Sequence, residues 1–187
     1  MRVKYIKIDS PENVSYKINW QRPFSDFPLI QGKNYTVYAI EYTDERKINF
    51  FLLDEGGNIY PSNYPSEFFE ISDPRMSKYW ERTNDNQLYP IQNPIYPNII
   101  TFKEWKINKY FEEDMFKGIN GANDIFQSYK KLIDNEYPDE SLDSAIIMEE
   151  NWILCPICNN AFENLSREGI ISCANCKARL NNPCWID

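Results

Sequence analysis

CPICNNAFENLSREGIISCANCKARL, residues 155–180, holds four of the chain's 5 cysteines in two Cys-x-x-Cys pairs with fourteen residues between the pairs. A tight turn carrying two thiols three positions apart aims both sulfurs at one point. Two such turns supply the four ligands of a closed tetrahedral shell. The spacing falls one residue short of the Cys-x₂-Cys-x₁₅₋₂₀-Cys-x₂-Cys zinc pattern. Cys155, Cys158, Cys173 and Cys176 are therefore the expected ligands of one zinc ion. A Cys₄ shell keeps no position for water, so a zinc ion there is structural rather than catalytic. The module that carries it, residues 151–187, is too short to fold on buried apolar surface alone. Metal binding can contribute about 10 kcal/mol or more to the folding of such a piece.

The stretch resembles the zinc ribbons. Pro156 lies inside the first pair, and the β-type run Gly169-Ile170-Ile171-Ser172 leads into the second. In ribbons a residue with positive φ, usually glycine, commonly follows each Cys-x-x-Cys turn. Asn159 follows Cys158 here, and Asn tolerates that conformation. Lys177 follows Cys176 and departs from the pattern, which predicts strain in the second turn. A rubredoxin-like iron site uses the same four thiolates and stands as the alternative metal; the missing glycines weigh against it. Cys184, in Asn-Asn-Pro-Cys-Trp, is left over as a buried or free thiol beside Trp185. Many ribbons bind nucleic acid, which needs clustered Lys and Arg. This one offers Arg167, Lys177 and Arg179 against Glu163, Glu168 and Asp187, and four thiolates on zinc add negative charge.

Upstream, PDESLDSAIIMEE (residues 138–150) reads as an acidic linker, with a short helix over Leu142–Met148. Residues 101–137 read as two helices. Trp105, Tyr110, Phe111 and Phe116 line the first, and Gly118–Gly121 breaks it. Asn123 or Asp124 caps the second, Ile125, Tyr129, Leu132 and Ile133 form its apolar stripe, and Pro138 stops it. Residues 73–100 are irregular and hold Pro74, Pro90, Pro94 and Pro97, with one helical turn expected at Ser77–Arg82 around Trp80. Tyr-Pro pairs recur at 60–61, 64–65, 89–90 and 96–97. Proline pre-sets φ in loops and tyrosine packs beside it; alternatively the aromatics form a surface for a partner.

Residues 1–72 read as β structure. Val3, Tyr5, Ile6 and Ile8 open a strand, and Asn34–Thr43 forms another, ending in the turn Asp44-Glu45-Arg46. Lys47–Asp54 has a continuous apolar run and is expected to be central and buried. Glu55-Gly56-Gly57-Asn58 is a hairpin turn, and Ile59-Tyr60 starts the return strand. Short strands at this spacing predict a small SH3-like β-barrel or curled sheet. The whole is an α+β chain: residues 1–137 a barrel with two helices, 138–150 the linker, 151–187 the ribbon.

The totals narrow the function. Hydrophobic residues at 42% and aromatics at 16% exclude a disordered chain. No apolar run is long enough to span a membrane. The opening MRVKYIKIDS lacks the apolar core of a secretory leader, and the cysteines cluster at one end rather than spreading as a disulfide scaffold. A cytoplasmic protein with reduced thiols is expected. The chain has 0 histidines, which removes the commonest general base and the commonest catalytic zinc ligand. A non-enzymatic protein is expected. The net charge of −8 is concentrated at residues 101–150, where 12 acidic side chains face 6 basic ones.

Residues 33–82 resemble a family of small bacterial proteins. The likeness rests on Val37-Tyr38-Ala39-Ile40, the apolar Asn49–Leu53, Tyr64-Pro65-Ser66-Glu67-Phe68-Phe69, then Asp73, Arg75 and Trp80. Such proteins are immunity-type partners of bacterial toxins. The resemblance implies a protein that binds another protein, here a basic toxin or effector. Tyr60, Tyr64, Trp80, Glu112, Glu113 and Asp114 are the candidate partner surface. A nucleic-acid- or transcription-associated ribbon protein is the alternative.

Overall fold

The computed structural model describes residues 1–6, 27–43, 47–81 and 98–185. The expectations at Ile8, at Asp44-Glu45-Arg46, at Arg82 and at Pro90, Pro94 and Pro97 lie outside these residues. The chain is mixed α+β and divides into two compact units, Met1–Lys130 and Lys131–Asp187.

The first unit contains two antiparallel sheets. In one, β1 (Arg2–Tyr5) is flanked by β2 (Asn34–Thr36) and β6 (Phe69–Asp73), with Val3 opposite Tyr35 and Ile71. The other has the order β5-β4-β3-β7: Ser62–Pro65, Ile48–Leu52, Ala39–Tyr42 and Asn98–Ile100. β4 is interior, so it buries Phe50, Phe51 and Leu52 in succession, as its unbroken apolar run predicts. Two corners join the sheets. At the first, the Val37 N–H donates to the Met1 carbonyl and the Tyr38 N–H to the Phe51 carbonyl, so the chain leaves one sheet and enters the other. At the second, β5 runs through a 3₁₀ turn, Ser66–Phe68, into β6. Among the described residues neither sheet closes into a barrel.

The return strand begins at Ser62 rather than at Ile59, whose side chain is exposed. A tyrosine–carboxylate contact holds this hairpin: Tyr64 Oη donates to Asp54 Oδ2 (2.5 Å), and Asp54 Oδ1 accepts the Gly56 N–H (2.8 Å).

The expected first helix is two: α1 (Lys103–Ile107) and α2 (Phe111–Lys117). Asn108 divides them. Its side-chain oxygen accepts the Tyr110 N–H and its amide donates to Asp114, an arrangement that competes with a continuous helix. The break turns Tyr110 and Phe116 outward, while Trp105 and Phe111 stay buried. Gly118 closes α2 with φ 66°, and its N–H reaches the carbonyls of Asp114 and Met115. The second expected helix is α3 (Ala122–Asp134), within which the division between the units falls. Its buried stripe is Ala122, Phe126 and Ile133; Leu132 is exposed, one position off the face. Both residues expected to cap α3 lie inside it, and the Asn123 amide donates instead to the Met115 carbonyl. Aromatic contacts join helices to sheet, where Trp105 meets Phe51 edge-on at 5.1 Å and Phe126 meets Tyr38 at 5.2 Å, and join the start of α1 to α3, where Phe102 stacks on Tyr129 at 4.1 Å.

The second unit holds β8 (Ile146–Glu149), β9 (Trp152–Leu154) and β10 (Ala161–Glu163) in the order β10-β9-β8, and the hairpin of β11 (Ile170–Ser172) with β12 (Arg179–Asn181). Its core is Ala145, Ile153, Cys155, Ile171, Cys173 and Leu180. The stretch read as a linker is built into this unit. Ser144 bridges Asn181, Ala145 is buried, and Ile146–Glu149 is a strand where a short helix was expected. The pairing partner β9 decides this: a short apolar run takes the backbone state that completes a ladder. Among the described residues, no helix is long and apolar enough to cross a membrane.

Candidate metal centre

Each Cys-x-x-Cys turn follows a strand and repeats one hydrogen-bond pattern. In the first, the Cys155 N–H donates to the Asn160 carbonyl (3.0 Å) and the Asn159 N–H to the Cys155 carbonyl (2.9 Å). In the second, Cys173 donates to Ala178 (2.9 Å) and Lys177 to the Cys173 carbonyl (3.1 Å). The residue after each turn has positive φ, 55° at Asn159 and 62° at Lys177. The lysine therefore accepts a conformation that L side chains disfavour. Its Nζ donates to the Ala174 carbonyl (2.7 Å), which ties the side chain down over the turn.

The four Sγ atoms lie within 4.8 Å of one another, and they form the one such group of His, Cys, Asp or Glu among the described residues. Cys155 Sγ is 3.8 Å from Cys176 Sγ, and Cys158 Sγ is 3.6 Å from Cys173 Sγ. Tetrahedral zinc with Zn–S bonds of about 2.3 Å requires sulfurs about 3.8 Å apart. The donor set fits that ion. Cys155 and Cys173 are buried, Cys158 is half-buried and Cys176 is exposed, so the cluster has an inner wall and an outer rim.

The polarity of the turns suits thiolates. The Asn160 N–H holds the Cys158 thiol down to about 6, with help from Cys176 and the Asn175 amide. At Cys176 the Ala178 N–H acts the same way, but burial and the neighbouring thiols outweigh it and push that thiol up to about 11. Four thiolates at this spacing repel, and full ionisation needs a cation among them. Cys184 stands apart from the four. It is half-buried against the core of the unit, its N–H donates to Asn182 Oδ1 (3.0 Å), and its carbonyl accepts from Arg167 (3.4 Å).

Three asparagines that sequence reasoning passed over hold the frame of this centre. The buried Asn182 side chain accepts from Asn164 (2.8 Å) and from the Cys184 N–H, and donates to the carbonyls of Ser166 (2.9 Å) and Glu168 (2.8 Å). Asn181 donates to the carbonyls of Asp139 (2.8 Å) and Leu142 (2.9 Å) and accepts the Asp139 N–H (2.8 Å). The signal was present as Asn181-Asn182 at the end of a strand: asparagine is poor inside sheets and good at bonding loop backbone.

The residues expected to meet a partner divide between core and surface. Tyr64 and Trp80 are buried, and the buried Asp114 carboxylate accepts from Asn108 (3.0 Å). Glu112 and Glu113 are exposed, and Glu113 pairs with Lys117. The Glu112 carboxyl is raised above the ordinary carboxylate range by loss of water and by the nearby Glu41. Tyr60 meets Phe116 edge-on at 6.0 Å, and Phe116 is 70% exposed.

No family model matches the chain, and neither a curated protein nor a solved structure is significantly similar to it. The likeness to immunity-type proteins thus rests on the quoted residues alone.

Proposed function

We propose that this chain is a non-enzymatic, acidic binding protein of the cytoplasm with a structural zinc ribbon, and that it acts as an immunity-like partner neutralising a basic bacterial toxin or effector. The observation that carries the reading is the closed four-sulfur group. Cys155, Cys158, Cys173 and Cys176 would hold one Zn²⁺, which would neutralise their charge and pin the two turns together. Such a shell has no open position, and the absence of histidine removes the usual proton shuttle. The order of the strands in the first unit supports an SH3-like arrangement: β2 continues into β3 around one corner, and β5 continues into β6 through a 3₁₀ turn around the other.

Charge supports a basic protein partner. Lys131–Asp187 carries ten acidic and four basic side chains, a net of −6. Acidic charge steers a protein toward basic partners. Metal analysis of protein purified without chelator should give one equivalent of zinc, and replacing Cys155 and Cys173 with Ser should abolish it. Iron, or no metal together with disulfides, would refute the metal assignment. Mass spectrometry of proteins retained from a bacterial lysate should then yield a basic partner. Its association should slow steeply with salt and on Glu112→Lys with Glu113→Lys. An acidic partner, or nucleic acid held by the same surface, would refute the immunity-like role.

A further inference from the structure

Among the described residues, the second unit carries an edge strand whose apolar side chains are exposed. β8 is at the edge of the sheet β10-β9-β8, and Ile146, Ile147 and Met148 are 52%, 54% and 55% exposed. Side chains along a strand alternate between the two faces of a sheet. Exposure at successive apolar positions therefore means that, among the described residues, both faces of β8 lack cover. Trp152, on the neighbouring β9, is also half exposed, which widens the apolar strip on this sheet. Edge strands are normally protected by Lys, Pro, a bulge or a covering loop. Here Ile146–Met148 contains neither Lys nor Pro, and the register shift, which falls at Met148 between Ile147 and Glu149, leaves Ile146 and Ile147 regularly paired with β9. The parallel bridge from Ser144 to Asn181 stops two residues before β8 begins.

The charges around the strand say what it can accept. Asp139, Glu140 and Asp143 precede β8, Glu149 ends it and Glu150 follows it, and residues 138–150 contain no Lys or Arg. A second copy, paired antiparallel through β8, would bring two sets of these five carboxylates together, which disfavours it. A strand with apolar side chains in its middle and basic residues at both ends complements the site at every level.

We propose that β8 is a docking edge for an extended, basic-flanked segment of a partner protein, which adds to the sheet as a fourth strand beside Ile146–Glu149. The main chain of the guest completes the open ladder, and its alternating apolar side chains cover Ile147 on one face and Ile146 on the other. Lysines or arginines at its ends meet Asp143 and Glu149. This deepens the reading above, on which it rests only for the partner being a basic protein.

The test uses the full-length, zinc-loaded chain and two synthetic peptides. Both have a Val-Thr-Val-Thr-Val centre; one is flanked at each end by Lys-Lys and the other by Glu-Glu. The lysine-flanked peptide should bind at least about tenfold more tightly, weaken as salt rises, and protect the amides of Ile146–Glu149 from hydrogen exchange. Ile147→Lys should weaken binding about tenfold with the melting temperature unchanged, because the side chain is exposed. Should that variant melt differently, Ile147→Thr, which keeps the branched side chain, decides instead. No protection of these amides at about 1 mM peptide, or equal binding of both peptides or by both chains, overturns the proposal. So does a dimer that Ile147→Lys dissolves, since a second copy would then occupy the edge. A recovered basic partner that responds to Glu112→Lys with Glu113→Lys but not to Ile147→Lys would leave the immunity-like role standing and remove this docking edge alone.

Discussion

Gly169 is a glycine for want of space. Its φ is ordinary, but a Cβ there would lie 2.2 Å from the Tyr137 carbonyl carbon and 2.5 Å from the Pro138 nitrogen. Both are backbone atoms and neither can turn aside. The close approach lets the Gly169 and Ile170 N–H groups donate to the Glu136 and Asn135 carbonyls. Gly169→Ala should cost about 3 kcal/mol, as overpacking of a fixed backbone does, and a denaturant melt of the zinc-loaded protein would show it. Lys177 presents the opposite case, a side chain where the backbone prefers none. Lys177→Gly should relieve roughly 1 kcal/mol of left-handed strain, offset in part by loss of the bond to Ala174, so zinc affinity should hold or rise slightly. A fall in zinc affinity would mean that the lysine is needed to close the turn. The tyrosines of the first unit set an alkaline limit. Burial pushes Tyr35 up to about 12, with Ile30's N–H opposing and Glu55 adding. Burial also raises Tyr64, whose hydroxyl donates to Asp54. A raised phenol pKa favours the protonated fold. Its contribution is therefore full below about pH 10, the unfolded value, and is lost as pH rises toward about 12. Melting temperature should fall across that window, and less steeply in Tyr64→Phe.

At the scale of elements, strand patterns were readable where the apolar run was long, and ambiguous where it was short. The continuous apolar run of β4 declared a central strand. The run Ile146-Ile147-Met148 is equally apolar, yet nothing in residues 138–150 distinguishes strand from helix; β9 does. Helix periodicity placed α3 but shifted its face, because a stripe centred on Phe126 differs from one centred on Ile125 and Leu132 by a single step of about 100°. The loops of the second unit depend on side chains that bond backbone. Asn182→Ala removes four hydrogen bonds from a buried site and strands two carbonyls and two donors. It should cost about 3 kcal/mol. Asn182→Asp should fare no better, since a carboxylate cannot donate to Ser166 and Glu168. Thermal melts of the two variants, compared with Glu163→Ala at an exposed position of the same unit, would separate this framework role from a general dislike of substitution.

For the whole molecule, the consequence of two units is a divided response to metal. Lys131–Asp187 organises its core around Cys155 and Cys173, whereas Met1–Lys130 has its own aromatic core of Phe51, Phe102, Trp105 and Phe111. Chelation at neutral pH should unfold the second unit and leave a cooperative melt from the first, followed by hydrogen exchange in each. Loss of both transitions together would mean that the units share one cooperative core.

That each Cys-x-x-Cys pair converges was determined by the sequence itself, because two thiols three residues apart in a tight turn meet by local geometry alone; that the two pairs form one four-sulfur group is the work of the fold. The positive φ after each turn followed for the same local reason. Tertiary structure alone decided which aromatics are core and which are surface: Tyr64 and Trp80 lie buried while Phe116 faces out, although composition treats them alike. It also decided that Gly169 must be bare and that Asn181 and Asn182 stitch distant loops. Those roles come from contacts between segments far apart in the chain, and such contacts exist only once the backbone of each segment has been placed by the other.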